Sequence, residues 1–240
     1  MGRIFEKRKA RMFARWSKTA KAFTKLGKEI AIAVKLGGPD PAGNPRLRMA
    51  VQTAKSLNMP KDRIQNAITR ASSKDIASLQ EVNYEGYGPH GIALFVETAT
   101  DNPTRTVANV RSIFNKYGGS MGTAGSLDYL FDRKGIFSIA KPPGDLEQLE
   151  LDLIDHGSED FFESEEGFLL YSNFSDFGTL QRALEMRDIE VKSAALQRIP
   201  LNRTKLLPQH EAEVQKLVEA LEEDEDVQHV YHTMLIAGES

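Results

Sequence analysis

No cysteine occurs in the 240 residues. Its absence excludes disulfides, thiolate zinc sites and cysteine nucleophiles together. No apolar run approaches the roughly 18 residues that a spanning helix needs. The first stretch, MGRIFEKRKARMFARW, has no apolar h-region, so a secretory signal is not expected. A cytoplasmic protein is the expectation that follows. Catalytic signatures are missing too: there is no GxSxG, no HExxH and no zinc-ligand spacing. GYGPHG (86–91) is glycine-rich, but no Lys-Ser/Thr follows it and no helix is expected after it. It reads as a tight turn and not as a phosphate loop. His229 and His232 stand three apart on an expected strand, so they face opposite sides and make a poor metal pair. A non-enzymatic protein is therefore expected, with no cofactor, no metal and no identified small-molecule substrate.

What the chain does have is a charge asymmetry. Its formal net charge is −3, yet residues 1–74 carry 18 Lys and Arg against 4 Asp and Glu, a net +14. Residues 75–240 carry 13 against 30, a net −17. Like charges repel, and no acidic run lies near the basic part in the sequence. Such a division suggests a basic module that meets a polyanion, joined to an acidic body. The acidic EEDED (222–226) reads as a helix end and a solvated turn.

The basic part has helical punctuation. Phe13, Trp16, Ala20, Phe23, Gly27, Ile30 and Val34 fall at alternating spacings of three and four, one helix face. Gly37 and Gly38 stop that pattern. Asn44 can cap the next helix, with Pro45 in its first turn. Leu47, Ala50, Val51, Ala54 and Leu57 form its apolar face; Pro60 opens a third helix that buries Ile64, Ala67 and Ile68. The cations Arg46, Arg48, Lys55, Lys61, Arg63 and Arg70 are expected on the opposite sides, not consumed by packing. Lys7, Arg8, Lys9, Arg11 and Arg15 precede them as a flexible arm with little to bury.

After residue 80 the period shortens. EVNYEGYGPHGIALFVETATD looks like two strands around a turn, and NPTRTVANVRSIFNKYGG like a helix capped by Asn102. SLDYLFD and GIFSIA are read as further strands. From residue 134 the order strand, helix, strand, strand, helix, strand is the ferredoxin-like split pattern, its last helix capped by Ser175. A helix and a strand then follow and can return to complete the middle unit. The expected fold is α+β: a basic helical domain (1–79), a discontinuous α/β sandwich domain (80–133 and 206–240) and an inserted ferredoxin-like α/β domain (134–205).

FTKLGKEI, KLGGPDPAGNPRLRMA, NMPKDRIQNAI, YEGYGPHG, ETATDNPTRTVANVR, KYGG, GSLDYLFDRKG and DVQHVYH stand in that order along the chain. In combination they resemble the YebC family of probable transcriptional regulators, which includes the mitochondrial translational activator of cytochrome c oxidase. The likeness is strong over residues 20–135, moderate in the tail, and one of element order in residues 136–205. It implies three domains, the last inserted in the second, and a cytoplasmic role in gene expression. Some members are described as binding promoter DNA; others look like translation factors that act at the ribosome and relieve stalls at proline-rich stretches. Many begin with Gly-His-Ser-Lys-Trp; here MGRIFEKRKARMFARWSK keeps only the tryptophan, Trp16, and the basic character.

The expected partner is thus nucleic acid, promoter DNA or ribosomal RNA, with the ribosome itself as a candidate and no membrane. Lys and Arg would neutralise phosphates, and about six contacts would give a log–log salt slope of about −4 to −5. No zinc finger, RNP signature or base-reading helix is evident, so weak sequence preference is expected. A protein–protein scaffold, with Arg111, Lys116, Arg133 and Lys134 on its surface, is the blander alternative.

Overall fold

The computed structural model describes the backbone of residues 2–72, 79–164 and 167–235, with side chains from residue 19 onward. The chain begins with one long helix, α1 (Gly2–Gly37). Two shorter helices follow, α2 (Pro45–Ser56) and α3 (Lys61–Ala71). The backbone expected to be a loose arm is instead the first half of α1. Helix geometry explains this: once the Phe23–Val34 segment is nucleated against α2 and α3, each added residue costs little. Ile30, Val34, Leu47, Ala54, Ile64 and Ile68 form the shared core.

The helices end as the residues dictate. Gly38 adopts φ +84, a left-handed value that glycine tolerates, and its N–H returns to the Val34 carbonyl at 2.8 Å. Asn44 then does three things from a buried position. Its Oδ1 accepts from Leu47 N–H at 3.0 Å, and its Nδ2 donates to the Ala33 and Gly38 carbonyls at 2.7 and 2.8 Å. It caps α2 and welds that cap to the end of α1. Asn44→Ala is expected to cost about 2–3 kcal/mol, a cap plus buried groups left unmet. Urea unfolding measures it; a loss under about 0.5 kcal/mol, the level of an ordinary surface change, would show that water replaces all three bonds.

Two four-stranded antiparallel sheets follow. The first contains β1 (Gln80–Tyr87), β2 (Ala93–Thr100), β3 (Ser120–Met121) and β8 (Val227–His232), in the order β3-β1-β2-β8. β8 comes from the end of the chain and pairs with β2, Val96 opposite Val230. Helices α4 (Pro103–Lys116) and α7 (Pro208–Glu222) cover the sheet, with Val110, Phe114, Val214 and Leu217 in the core. Asn102 caps α4 as expected, its side chain accepting from Arg105 N–H at 3.1 Å. GYGPHG is a tight turn between β1 and β2, with φ of 62 at His90 and 75 at Gly91.

The second sheet contains β4 (Phe131–Ile139), β5 (Ser158–Ser164), β6 (Gly167–Asn173) and β7 (Val191–Pro200), ordered β5-β6-β4-β7. With α5 (Leu146–Ile154) and α6 (Phe177–Met186) its element order is the ferredoxin-like one. Phe137, Ile139, Leu170, Leu180 and Leu184 fill its core.

Two local expectations are corrected. SLDYLFD is no separate strand: Asp128–Leu130 is a short 3-10 turn, and Phe131 already belongs to β4. The preceding loop is tied down by buried Glu85, whose carboxylate accepts from the N–H groups of Gly125 (2.7 Å) and Leu127 (2.5 Å). Those bonds draw the backbone into a turn where its apolar residues suggested a ladder. The residue before α6 is Asp176 in place of Ser175, and it makes no side-chain cap.

Candidate nucleic-acid interface

The structure divides the basic residues into two groups. One group is consumed internally. Arg46 lies between α1 and β1: its Nε donates to Glu29 at 2.9 Å and its Nη2 to Glu81 at 2.5 Å. Burial pulls the Arg46 pKa down, but its hydrogen bonds to Glu81 and Glu29 raise it net. Arg48 donates through Nη1 to the carbonyls of Pro41 (2.8 Å) and Ala42 (2.7 Å), and its Nε pairs with Glu185 of α6 at 3.2 Å. The expectation that packing leaves these cations unused is therefore corrected for Arg46 and Arg48. Both hold α2 against the two sheet units, because their carboxylate partners lie far away in sequence. Arg46→Met should lower the thermal midpoint while leaving the salt slope of nucleic-acid binding unchanged. A flatter slope at unchanged stability would return Arg46 to the interface.

The same holds for three lysines along α1 that were not among the expected interface residues. Lys25 Nζ donates to the Glu222 carbonyl at 2.8 Å, Lys21 to that of Glu223 at 3.4 Å, and Lys28 to that of Glu225 at 2.8 Å. These carbonyls sit at and just past the C-terminus of α7, where helix groups lack internal partners and the dipole is negative. The EEDED segment is thus no merely solvated turn. It receives one face of the basic helix and neutralises part of the +14. Helical spacing of Lys21, Lys25 and Lys28 could have flagged the face; nothing local indicated its partner.

Asp226 is the centre of this junction. It is 4% exposed. Its carboxylate accepts from Lys28 (2.7 Å), Arg105 (2.8 Å), Thr106 (2.7 Å) and Thr100 (3.3 Å), which join α1, α4 and the end of β2. Burial alone would raise its pKa, but the bonds from Lys28, Arg105 and Thr106 outweigh that and hold it at about 2.

The second group faces solvent. Lys55 on α2 and Lys61, Arg63 and Arg70 on α3 are all exposed. Arg63 and Arg70 are seven residues apart, two turns along one face, with Asn66 between them. Together with Phe23 and Thr24 of α1 they line a shallow notch of about 370 Å³. The Arg63 guanidinium lies 5.8 Å from the Phe23 ring centroid. Lys7, Arg8, Lys9, Arg11 and Arg15 stand on the N-terminal half of α1, and their side chains lie outside the described residues. A guanidinium pair beside an aromatic ring can hold phosphates and offer a stacking platform. Among the described residues, no helix is long and apolar enough to cross a membrane, and no cluster of three or more His, Asp or Glu could hold a metal ion.

Residues 3–74 match the family model of the TACO1/YebC protein N-terminal domain, and residues 79–234 match that of the TACO1/YebC second and third domain. A protein of Porphyromonas gingivalis named probable transcriptional regulatory protein is 55% identical across 98% of this chain and 97% of its own length. One from Flavobacterium johnsoniae with the same name is 53% identical across 98% and 99%. The crystal structure of a conserved hypothetical protein from Aquifex aeolicus superposes with a TM-score of 0.76 at 36% identity, covering 90% of each chain. Family models spanning nearly the whole chain, relatives above half identity and the shared fold agree: the chain belongs to the TACO1/YebC family.

Proposed function

We propose that this chain is a non-enzymatic, cytoplasmic regulator of gene expression that binds nucleic acid through its basic helical region, with promoter DNA as the target that the relatives' names favour. The observation that carries the reading is the division of cations. Arg46, Arg48 and the lysines of α1 from 21 to 28 are spent on carboxylates and helix-end carbonyls. Lys55, Lys61, Arg63 and Arg70 are exposed on the outer surface. Exposed surface cations bind phosphate chains by releasing counterions. The working partition is three units, residues 1–79, 80–133 with 206–240, and 134–205; the pairing of β8 with β2 supports it.

A second reading, binding of ribosomal RNA as a translation factor, has its own observation. The notch between Phe23, Arg63, Asn66 and Arg70 is concave, with a volume of about 370 Å³. It suits an unstacked base or a bent single strand better than a smooth duplex. The acidic body is also clamped to α1 at Glu222–Asp226, and a long duplex would repel it. In-cell crosslinking, with DNA and RNA recovered and sequenced separately, decides. Reads at promoters establish the transcriptional role, reads in ribosomal RNA the translational one, and background in both sinks the proposal.

A further inference from the structure

The N-terminal helices and the facing edges of the two sheets enclose a cleft of about 640 Å³. That is within the range of small-molecule sites. β7 and β8 are the edge strands of their sheets, and both line it. Most of its charges are matched. Arg46 is held by Glu29 and Glu81, and Lys25 by the Glu222 carbonyl. Arg198 donates through Nε to Glu97 (2.9 Å) and through Nη1 to Asp128 (2.7 Å).

Arg133 is the exception. It is the register partner of Arg198 across β4 and β7. Its guanidinium carbon lies 3.9 Å from the centroid of the Phe174 ring. Among the described residues, nothing accepts a hydrogen bond from it and no carboxylate lies within ion-pair distance. Burial lowers its pKa, and Arg198 and Arg46 push the same way against Glu97 and Glu81. The Arg133 nitrogens are not sealed from solvent, so water can meet them and the acidic group of a ligand can take its place.

An independent feature points into the same space. β8 slips against β2 between the pairs His229–Glu97 and Val227–Thr98, so Gln228 is the extra residue of a β-bulge. Bulges re-aim side chains, often at sites. Gln228 lines the cleft, and its buried Nε2 has no hydrogen-bond partner. Two donors without a protein acceptor thus line one cavity from the two different sheets. Leu26, Met49, Leu196 and Val230 give the cleft apolar wall.

We infer that this cleft binds a small organic anion, a carboxylate or a phosphate ester, whose acidic group is held by Arg133 and Gln228 and whose apolar body lies against Leu26, Met49 and Leu196. Such a ligand would brace the helical region against both sheets and stabilise the chain by mass action. The inference is independent of which nucleic acid the basic helices bind.

Benzoate and phenyl phosphate share one apolar body and differ in the acid; benzyl alcohol is the neutral control. With the anion at about ten times its Kd, the full chain should gain about 3–6 °C in thermal midpoint, saturably, with no gain from benzyl alcohol. Which of the two anions is the stronger says whether the natural ligand is a carboxylate or a phosphate ester. Arg133→Gln should weaken binding at least tenfold and Gln228→Leu severalfold, whereas the combined Lys61→Ala, Arg63→Ala and Arg70→Ala variant should respond as the unaltered chain does. No saturable gain with either anion overturns the proposal, as does an undiminished gain in Arg133→Gln. Should Arg133→Gln not fold, the side-chain amide resonance of Gln228 in the unaltered chain decides: it moves on titration, or the site is not there.

Discussion

Replacing Lys61, Arg63 and Arg70 together by alanine is expected to cut nucleic-acid affinity by about 10²–10³-fold at 0.1 M salt. Each lost phosphate contact flattens the log–log salt slope by about 0.9 on duplex DNA and 0.7 on single strands. Three contacts flatten it by about 2–3, and at 0.1 M salt that change in exponent is the quoted loss. Stability should move little, because the three side chains are exposed and away from the core of Ile64 and Ile68. The measurement is a salt series of binding isotherms on duplex DNA and on single-stranded RNA. An unchanged slope would remove α3 from the interface and leave Lys55 and the N-terminal half of α1 as the candidates. Because phosphate contacts position without reading bases, the loss should be similar across sequences.

Asp226→Ala is expected to be the most damaging single substitution away from the apolar cores. It leaves Lys28 and the hydroxyls of Thr100 and Thr106 without their shared acceptor. Removing one partner of a buried pair costs about 3–5 kcal/mol, a fall on the order of 10 °C in midpoint for a chain of this size. Since Lys28 is on α1, the junction should loosen first, and limited proteolysis should cut between the helical region and the sheets before the cores unfold. Equal protease resistance in the variant and the unaltered chain would contradict this.

The same carboxylate sets an acid limit. Its folded pKa of about 2 lies below its ordinary 3.8. The unfolded chain therefore takes up the proton first as pH falls. The stabilisation is complete above about pH 4 and is lost as pH drops from there through about 2. Its size is about 1–2 kcal/mol after allowing for solvent screening. Asp226→Asn keeps the shape without the charge, so it should be less stable at neutral pH and flatter across that acid window. A parallel pH profile would place the acid limit on other carboxylates.

Much of the fold was legible because local rules and packing agreed. The Asn44–Pro45 and Asn102–Pro103 starts, the glycine stops and the strand pair β1 and β2 all appear where the residues indicated. The misreadings arose where distant partners override local preference. SLDYLFD carries strand-forming residues, but Glu85, about forty positions earlier, captures its backbone N–H groups. The N-terminal arm is rich in like charges that disfavour order, yet it continues a helix already nucleated on α2 and α3.

For the candidate interface the division is sharper. By itself the sequence determined that a basic module exists, that it is helical and that it belongs with an acidic α+β body. Counting charge and period suffices for that, since both are properties of residues in order along the chain. Only the tertiary structure decided which cations are available. Arg46 and Lys28 carry the same charge as Lys61 and Arg63, but their fates differ because Glu29, Glu81 and Asp226 are folded against the first pair and, among the described residues, no carboxylate pairs with the second. Ion pairing depends on distances of a few ångströms between residues up to 198 positions apart, and no local pattern encodes those distances.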